Sequence, residues 1–309
     1  MFEKVALIGI GLIGSSIARA IKEKNLADHI AISTRSQKTL DRAKELGLGD
    51  SYNIDPTEVV RDADLVIICA PVGAYEAIGK QIAPHLKTGA ILSDVGSVKE
   101  HVVKALEPHV PDGVHFIPGH PIAGTENSGP EAGFASLFDG KWCILTPIEG
   151  TDQDALHRLR DLWVAFGSDV EILDAKHHDM VLAITSHVPH LIAYNIVGTA
   201  DHLESVTKSE VIKFSAGGFR DFTRIAASDP EMWRDVFLTN REAVMEMLGR
   251  FSEDLSMLQR AVRFGDGEML EELFTRTRNI RRSIIDAGQE TDVPDFGRHV
   301  SAVEDESGA

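Results

Sequence analysis

Short apolar runs alternate along the first half of the chain with stretches whose apolar residues recur every three or four positions. Val5-Ala6-Leu7-Ile8 predicts a strand that breaks at Gly9, Gly11 and Gly14 and gives way to a helix from Ile13 to about Lys24. His29 to Ser33 then predicts a second strand and Gln37 to Leu46 a second helix. Asp64 to Cys69 is almost wholly apolar, as suits a strand in a sheet covered on both faces. Further strands are expected at Ala90–Ser93, His115–Ile117, Trp142–Thr146 and Val170–Leu173, with a helix at about Asp154 to Phe166. Strand and helix in strict turn imply a parallel sheet.

After about Asp174 the strand-like runs cease and long helical periodicities take over. Met180 to Thr199 predicts a central apolar helix interrupted mainly by His187, Pro189 and His190, with a kink at the proline. Helices are also expected at Lys208–Phe214, Met232–Val262 and Gly267–Ala287. The resulting expectation is an α/β chain with an N-terminal Rossmann-type doubly wound parallel sheet over residues 1–174. An all-helical C-terminal domain for substrate binding and dimerisation follows over 175–300, and then an acidic mobile tail over 301–309. Val244, Met247, Leu248, Phe251, Leu255 and Leu258 on the longest helix are the expected homodimer face.

A hydrophobic fraction of 43% over 309 residues suffices for two buried cores. The formal charge of −17 argues against nucleic-acid or anionic-membrane partners, so an anionic substrate requires a local basic pocket. Cys69 and Cys143 lie in apolar runs, which fits buried thiols better than a disulfide framework. With no basic leader and no apolar run read as approaching membrane-spanning length, the expected location is cytoplasmic.

The three glycines have separate tasks: Gly9 permits a sharp turn, Gly11 lets a phosphate approach, and Gly14 packs the helix on the sheet. The backbone N–H groups around Leu12 and Ile13 then face a pyrophosphate. Ala70-Pro71-Val72 ends a strand at the edge where such sheets bind ligands. The second strand is followed by Thr34-Arg35-Ser36, which can donate to a 2′-phosphate, where a carboxylate would repel it. NADP is therefore the favoured cofactor, with NAD the alternative.

His120, between Gly119 and Pro121, is held extended by the proline and given little steric cover by nearby glycines, which suits a general base; a structural loop histidine is the alternative. Ser97-Val98-Lys99-Glu100 is a capping box as it stands, so Ser97 is expected to cap a helix while also facing the ligand edge. His187 and His190, with His177 and His178 nearby, invite a metal reading. No acidic third ligand stands at a suitable spacing, and no metal is expected. One of the His187/His190 pair is expected in the core and the other in a pocket. Arg224 can hold a carboxylate by a bidentate pair and Asp221 can orient a basic partner, or either can sit in a surface ion pair.

In these segments the chain resembles the prephenate/arogenate dehydrogenase family, also called cyclohexadienyl dehydrogenases, of tyrosine biosynthesis. The carriers are Gly9 to Gly14, Asp94-Val95-Gly96-Ser97-Val98-Lys99, Gly119-His120-Pro121-Ile122-Ala123-Gly124, Ser186-His187-Val188-Pro189-His190, Gly218 to Arg224 and Asp229-Pro230-Glu231-Met232-Trp233. The resemblance implies oxidative decarboxylation of prephenate or arogenate, with hydride passing from C4 to the nicotinamide. It implies that His120 takes up the 4-hydroxyl proton, that Ser97 hydrogen-bonds the same region, and that His190 and Arg224 bind substrate carboxylate. It further implies that Glu126, Asp221 and Trp233 shape or gate the pocket. Without length for a further sensing domain, feedback inhibition by tyrosine would act at or near the active site. A β-hydroxy-acid dehydrogenase would need a lysine where this chain has Gly198-Thr199-Ala200-Asp201, and a cofactor-binding sensor without turnover leaves the His120 loop without a purpose.

Overall fold

The computed structural model of the chain describes residues 2–125, 127–213 and 217–286. The first part runs β1 (Phe2–Ile8), α1 (Leu12–Lys24), β2 (Ala27–Ser33), α2 (Gln37–Glu45), β3 (Ser51–Tyr52), α3 (Pro56–Val60), β4 (Leu65–Ile68), α4 (Tyr75–Ile82), β5 (Ile91–Asp94), α5 (Lys99–Leu106) and β6 (His115–Phe116). Its strands form one sheet in the order β3-β2-β1-β4-β5-β6, every pair parallel. The order reverses between β1 and β4, so the crevice of this doubly wound sheet lies where Gly9 and Cys69 leave their strands. Both faces are covered, and Leu65, Val66, Ile67 and Ile68 of β4 are fully buried.

The later strands do not extend this sheet, contrary to the single parallel sheet expected from alternation. β7 (Gly119–Pro121), β8 (Trp142–Leu145) and β9 (Asp169–Ile172) form a second sheet, with α6 (Gln153–Ala165) between the last two; β7 runs antiparallel to β8. The ladder ends at Gly119. Ile117 N–H still donates to the Leu92 carbonyl in the main sheet, but the next donor in register, Gly119 N–H, turns to Asp94 Oδ1, and the Pro118 carbonyl accepts from Thr146 N–H just after β8. The chain therefore carries His120 off the main sheet and along its ligand edge.

Beyond Asp174, whose side chain caps the next helix, the structure is helical: α7 (Ala175–Leu182), a π turn (Ala183–His187), α8 (Val188–Lys213), α9 (Gly217–Thr223), α10 (Pro230–Thr239), α11 (Arg241–Phe264) and α12 (Gly267–Asp286). Where a kink was expected at Pro189, a π turn closed by Val188 N–H on the Ala183 carbonyl directly precedes the proline. The helix expected from Lys208 belongs to the end of α8. The single helix expected over Met232–Val262 is two, broken at Asn240, whose side chain is taken up by partners in other elements.

Ala175–His202 is long and apolar enough to cross a membrane by length and composition, with mean hydropathy 1.4 over an 18-residue window; the reading that no run approaches that length is corrected. His178, Asp179 and His187 are nevertheless buried and hydrogen-bonded within it.

Among the described residues, those up to Lys213 together with Thr223–Met247 form one compact unit, and 217–222 with 248–286 form another. The first unit contains both sheets, and in it α7 packs on α5. In the second, α11 and α12 expose Leu255, Met257, Val262, Phe264, Phe274, Ile280 and Ile284.

At Gly9, with φ +100°, an added Cβ would stand 2.5 Å from the Cys69 carbonyl oxygen, whereas Gly47, with φ +64°, has nothing within 4 Å. Gly9→Ala is therefore expected to cost at least about 2 kcal/mol, and Gly47→Ala about 1 kcal/mol. Urea unfolding of both variants checks this ordering; equal losses would contradict the close approach of the two strand ends.

Candidate active site

The glycine turn is built to receive phosphate. Any side chain on Gly14 would strike the Gly9 carbonyl, while the space before Gly11 is open to 4 Å. α1 begins without a side-chain cap at Gly11 and without an acidic residue in its first turn, which leaves its first N–H groups and its positive dipole end to an anion. At the same edge, Ala70 and Pro71 follow β4, while the Val72 side chain is buried in the core and has only its backbone to offer. After β2, Arg35 is exposed, Thr34 is half-buried, and Ser36 Oγ accepts from Thr39 N–H at 3.3 Å as the cap of α2. These residues fit a dinucleotide.

Ser97 does not cap α5. Val98 occupies the cap position with no side-chain bond, and the helix start is satisfied from elsewhere. Lys99 N–H donates to Asp179 Oδ1 at 2.7 Å and Glu100 N–H to Asp179 Oδ2 at 2.9 Å, so a carboxylate from α7 caps a helix 80 residues earlier in the chain. The half-buried Ser97 hydroxyl is thereby relieved of the capping task.

The same carboxylate opens a chain of contacts to His120. His178 Nδ1 lies 2.8 Å from Asp179 Oδ1, and His178 Nε2 lies 2.8 Å from His120 Nδ1. His120 itself is buried on β7. Its backbone is held on the other side by Lys99, a fully buried cation that donates to Asp94 Oδ2 at 2.6 Å and to the Gly119 carbonyl at 2.5 Å. Gly119 N–H in turn donates to Asp94 Oδ1 at 3.1 Å. Burial, reinforced by His178 and Lys99, pushes His120 well below the usual histidine range, so the imidazole is neutral at pH 7.

A second cluster lies in the same unit. Trp233 stacks on His190 with ring centroids 3.7 Å apart and meets His187 edge-on at 6.0 Å. Val98, next to Ser97, packs in one apolar cluster with Trp233 and Val236, which joins the β5–α5 loop to α10. His190 Nδ1 donates to the Ser186 carbonyl at 2.8 Å. Burial lowers the pKa of His190, and the nearby Arg224 guanidinium lowers it further, which places these two side chains in one field. Asn240 Nδ2 donates to the Asp179 carbonyl at 2.9 Å and to His187 Nδ1 at 3.0 Å. His187 thus carries its proton on Nε2, a buried atom without a hydrogen-bond partner, and burial lowers its pKa to about 4. Of the histidine pair, His187 is in the core, as expected for one of them but with Nε2 unsatisfied, while the half-buried His190 lies against Trp233.

The first unit thus brings together Ser97, His120, His190, Arg224 and Trp233. Asp221 belongs to the second unit, and Glu126 lies outside the described residues. Sequence reasoning weighed His178 only as a metal ligand and missed Asp179, Lys99 as a buried tie, and Asn240. Their partners lie far along the chain, and the adjacency of His178 and Asp179 was the one local signal.

Comparison with known proteins gives a consistent result. The profile of the prephenate dehydrogenase nucleotide-binding domain matches residues 17–172, and that of the prephenate dehydrogenase dimerization domain matches 174–276. A cyclohexadienyl dehydrogenase of Zymomonas mobilis is 42% identical over 284 residues, covering 92% of this chain and 97% of that one. The crystal structure of prephenate dehydrogenase from A. aeolicus, in complex with hydroxyphenyl propionate and NAD+, is similar with a TM-score of 0.84 at 34% identity, covering 92% of this chain and 99% of that one. Arogenate dehydrogenase of Synechocystis has a TM-score of 0.75 at 26% identity, covering 91% and 99%.

Buried neutral histidines make stability sensitive to acid. His187, with a folded pKa of about 4, stays unprotonated where an unfolded histidine, with a pKa of about 6.5, binds a proton. The unfolded chain therefore gains protons first, and stability falls as pH drops from about 6.5 towards 4, by roughly 1.4 kcal/mol per unit for each such group. His187→Gln, which keeps an acceptor for Asn240, is expected to reduce that slope by about one proton in urea unfolding at pH 7 and pH 5. An unchanged slope would contradict the buried neutral state.

Proposed function

The chain belongs to the prephenate dehydrogenase family of NAD(P)-dependent dehydrogenases, and from that premise we propose that it oxidatively decarboxylates prephenate or arogenate, with NADP+ the favoured acceptor and NAD+ the alternative. The observation that carries this reading is a neutral, buried His120 in the same compact unit as the His190–Trp233–Arg224 cluster. When bound, the nicotinamide accepts the hydride from C4 of the cyclohexadienol ring.

The residues of this chain do the rest. His120 accepts the 4-hydroxyl proton as the C4–H bond breaks, which draws electrons into the forming ring as the C1 carboxylate departs as CO2. That proton returns to the phenolate oxygen, so the overall reaction releases none. Ser97, with Asp179 capping α5 in its place, hydrogen-bonds the same hydroxyl. Arg224 and His190 hold substrate carboxylate, with Trp233 fixing the plane of His190. Because His190 Nδ1 already donates to Ser186, a carboxylate at Nε2 draws a proton onto this imidazole. Aromatic product offers the same phenol and carboxylate, so inhibition by tyrosine would be competitive with substrate. The family resemblance assigns Glu126, Asp221 and Trp233 to shaping or gating the pocket. The match to a dimerization domain and the exposed apolar residues of α11 and α12 support a homodimer.

His120→Asn is expected to lower kcat by about 10²–10⁴ while leaving cofactor Kd near its original value, as followed by nicotinamide absorbance with prephenate or arogenate. Near-normal turnover would retire His120 as the base. Arg35→Asp is expected to lower kcat/KM for NADP+ by about tenfold or more with little change for NAD+. Equal losses for both would remove the NADP preference.

A further inference from the structure

We propose that Asp179 and His178 are positioning residues for the reaction. The carboxylate holds His178 with its proton on Nδ1, which forces the His120 proton onto Nδ1 and leaves the His120 lone pair on Nε2. The argument deepens the reading of His120 as base and rests on it, but the tautomer itself follows from hydrogen-bond chemistry alone. The Asp179 carboxylate accepts from two backbone N–H groups, so its oxygens act as acceptors, and Oδ1 at 2.8 Å from His178 Nδ1 requires a proton on that nitrogen. A neutral His178 then has only a lone pair at Nε2. At 2.8 Å, that lone pair can be met only by a proton on His120 Nδ1.

The alternative tautomer is penalised at both links. A proton on His178 Nε2 would leave the carboxylate without its donor and would leave His178 Nδ1 as a lone pair facing an anion, inside a site where His178 is fully buried. When His120 takes up a proton, its charge forms within a chain that ends on Asp179, opposed by the Lys99 cation on the other side. The groups facing His120 are His178 and Asp179 from α7, Lys99 from α5, Asp94 from β5 and His187 from the π turn. The carboxylate thus has two tasks: it caps α5, which carries Lys99, and it orients the base.

The test separates the tautomer from the activity. Long-range ¹H–¹⁵N NMR on full-length protein labelled with ¹⁵N-histidine is expected to show His120 and His178 protonated at Nδ1. A proton on His120 Nε2 in the unsubstituted protein would overturn the proposal whatever the kinetics. His178→Leu removes the acceptor but leaves Asp179 capping α5. It is expected to lower kcat by about 10–100-fold with substrate KM and cofactor Kd within about threefold, and to change the pH profile of kcat. Asp179→Asn, which can donate to His178 Nδ1, is expected to shift the His120 proton towards Nε2 in the NMR spectrum and to lower kcat by about 10³ or more. His178→Leu with kcat within twofold and an unaltered pH profile would also overturn it. Full turnover in His120→Asn would sink the base reading instead, and the NMR result would still decide the tautomer. If either variant fails to fold, the spectrum of the unsubstituted protein decides.

Discussion

One buried carboxylate, Asp179, couples the helical part of the first unit to its sheet. It supplies the acceptors that the start of α5 lacks, contacts His178, and through its backbone carbonyl receives Asn240 from the α10–α11 junction. Each of those donors, left buried and unpaired, costs about 1–3 kcal/mol. The arrangement is therefore specified as a set. The Lys99–Asp94 pair works in the same way on the other side of His120. Its net contribution to stability is small or unfavourable after desolvation, but its geometry ties β5, α5 and the Gly119 carbonyl together. A flexible loop could not hold an imidazole this way; here β7, α5 and α7 converge on it.

Charge organises the site in a complementary way. In a chain of net charge −17, the Lys99 cation is committed to Asp94, and Arg224 lies within the field of His190. The histidines are kept neutral by burial, which suits one to accept a proton and another to gain one when an anion binds. The proposed carboxylate-binding and proton-accepting ends thus differ in electrostatics although both use imidazole.

Much of the fold was legible because its signals are local. Val5 to Gly14 carries strand, turn and helix start within ten consecutive positions, and the apolar Asp64–Cys69 run announces a strand covered on both faces. The second sheet was not legible, because the donor that leaves the main ladder, Gly119 N–H, is taken up by the side chain of Asp94 in another strand. Ser97 was misread as a cap for a related reason. The capping box is a local pattern, and a carboxylate 80 residues away accepts the first N–H of α5 in its place. Asn240 was hidden within an unbroken helical periodicity, since its side-chain partners, Asp179 and His187, come from α7 and the π turn. His120, His190, Arg224 and Trp233 are proposed from the extended backbone imposed by Pro121, the charge argument and the family resemblance. His178 and Asp179 owe their place in the site to tertiary contact.

The central claim is that the imidazole on β7 and the Arg224–His190 pair grip two ends of one small substrate. It is tested most directly by a crystal structure of this chain with NADP+ and a 4-hydroxyphenyl carboxylic acid bound. The account predicts the phenol oxygen within hydrogen-bond distance of His120 Nε2 and the carboxylate on Arg224 or His190. A phenol ring bound away from His120, or a carboxylate held by neither cluster residue, would contradict it.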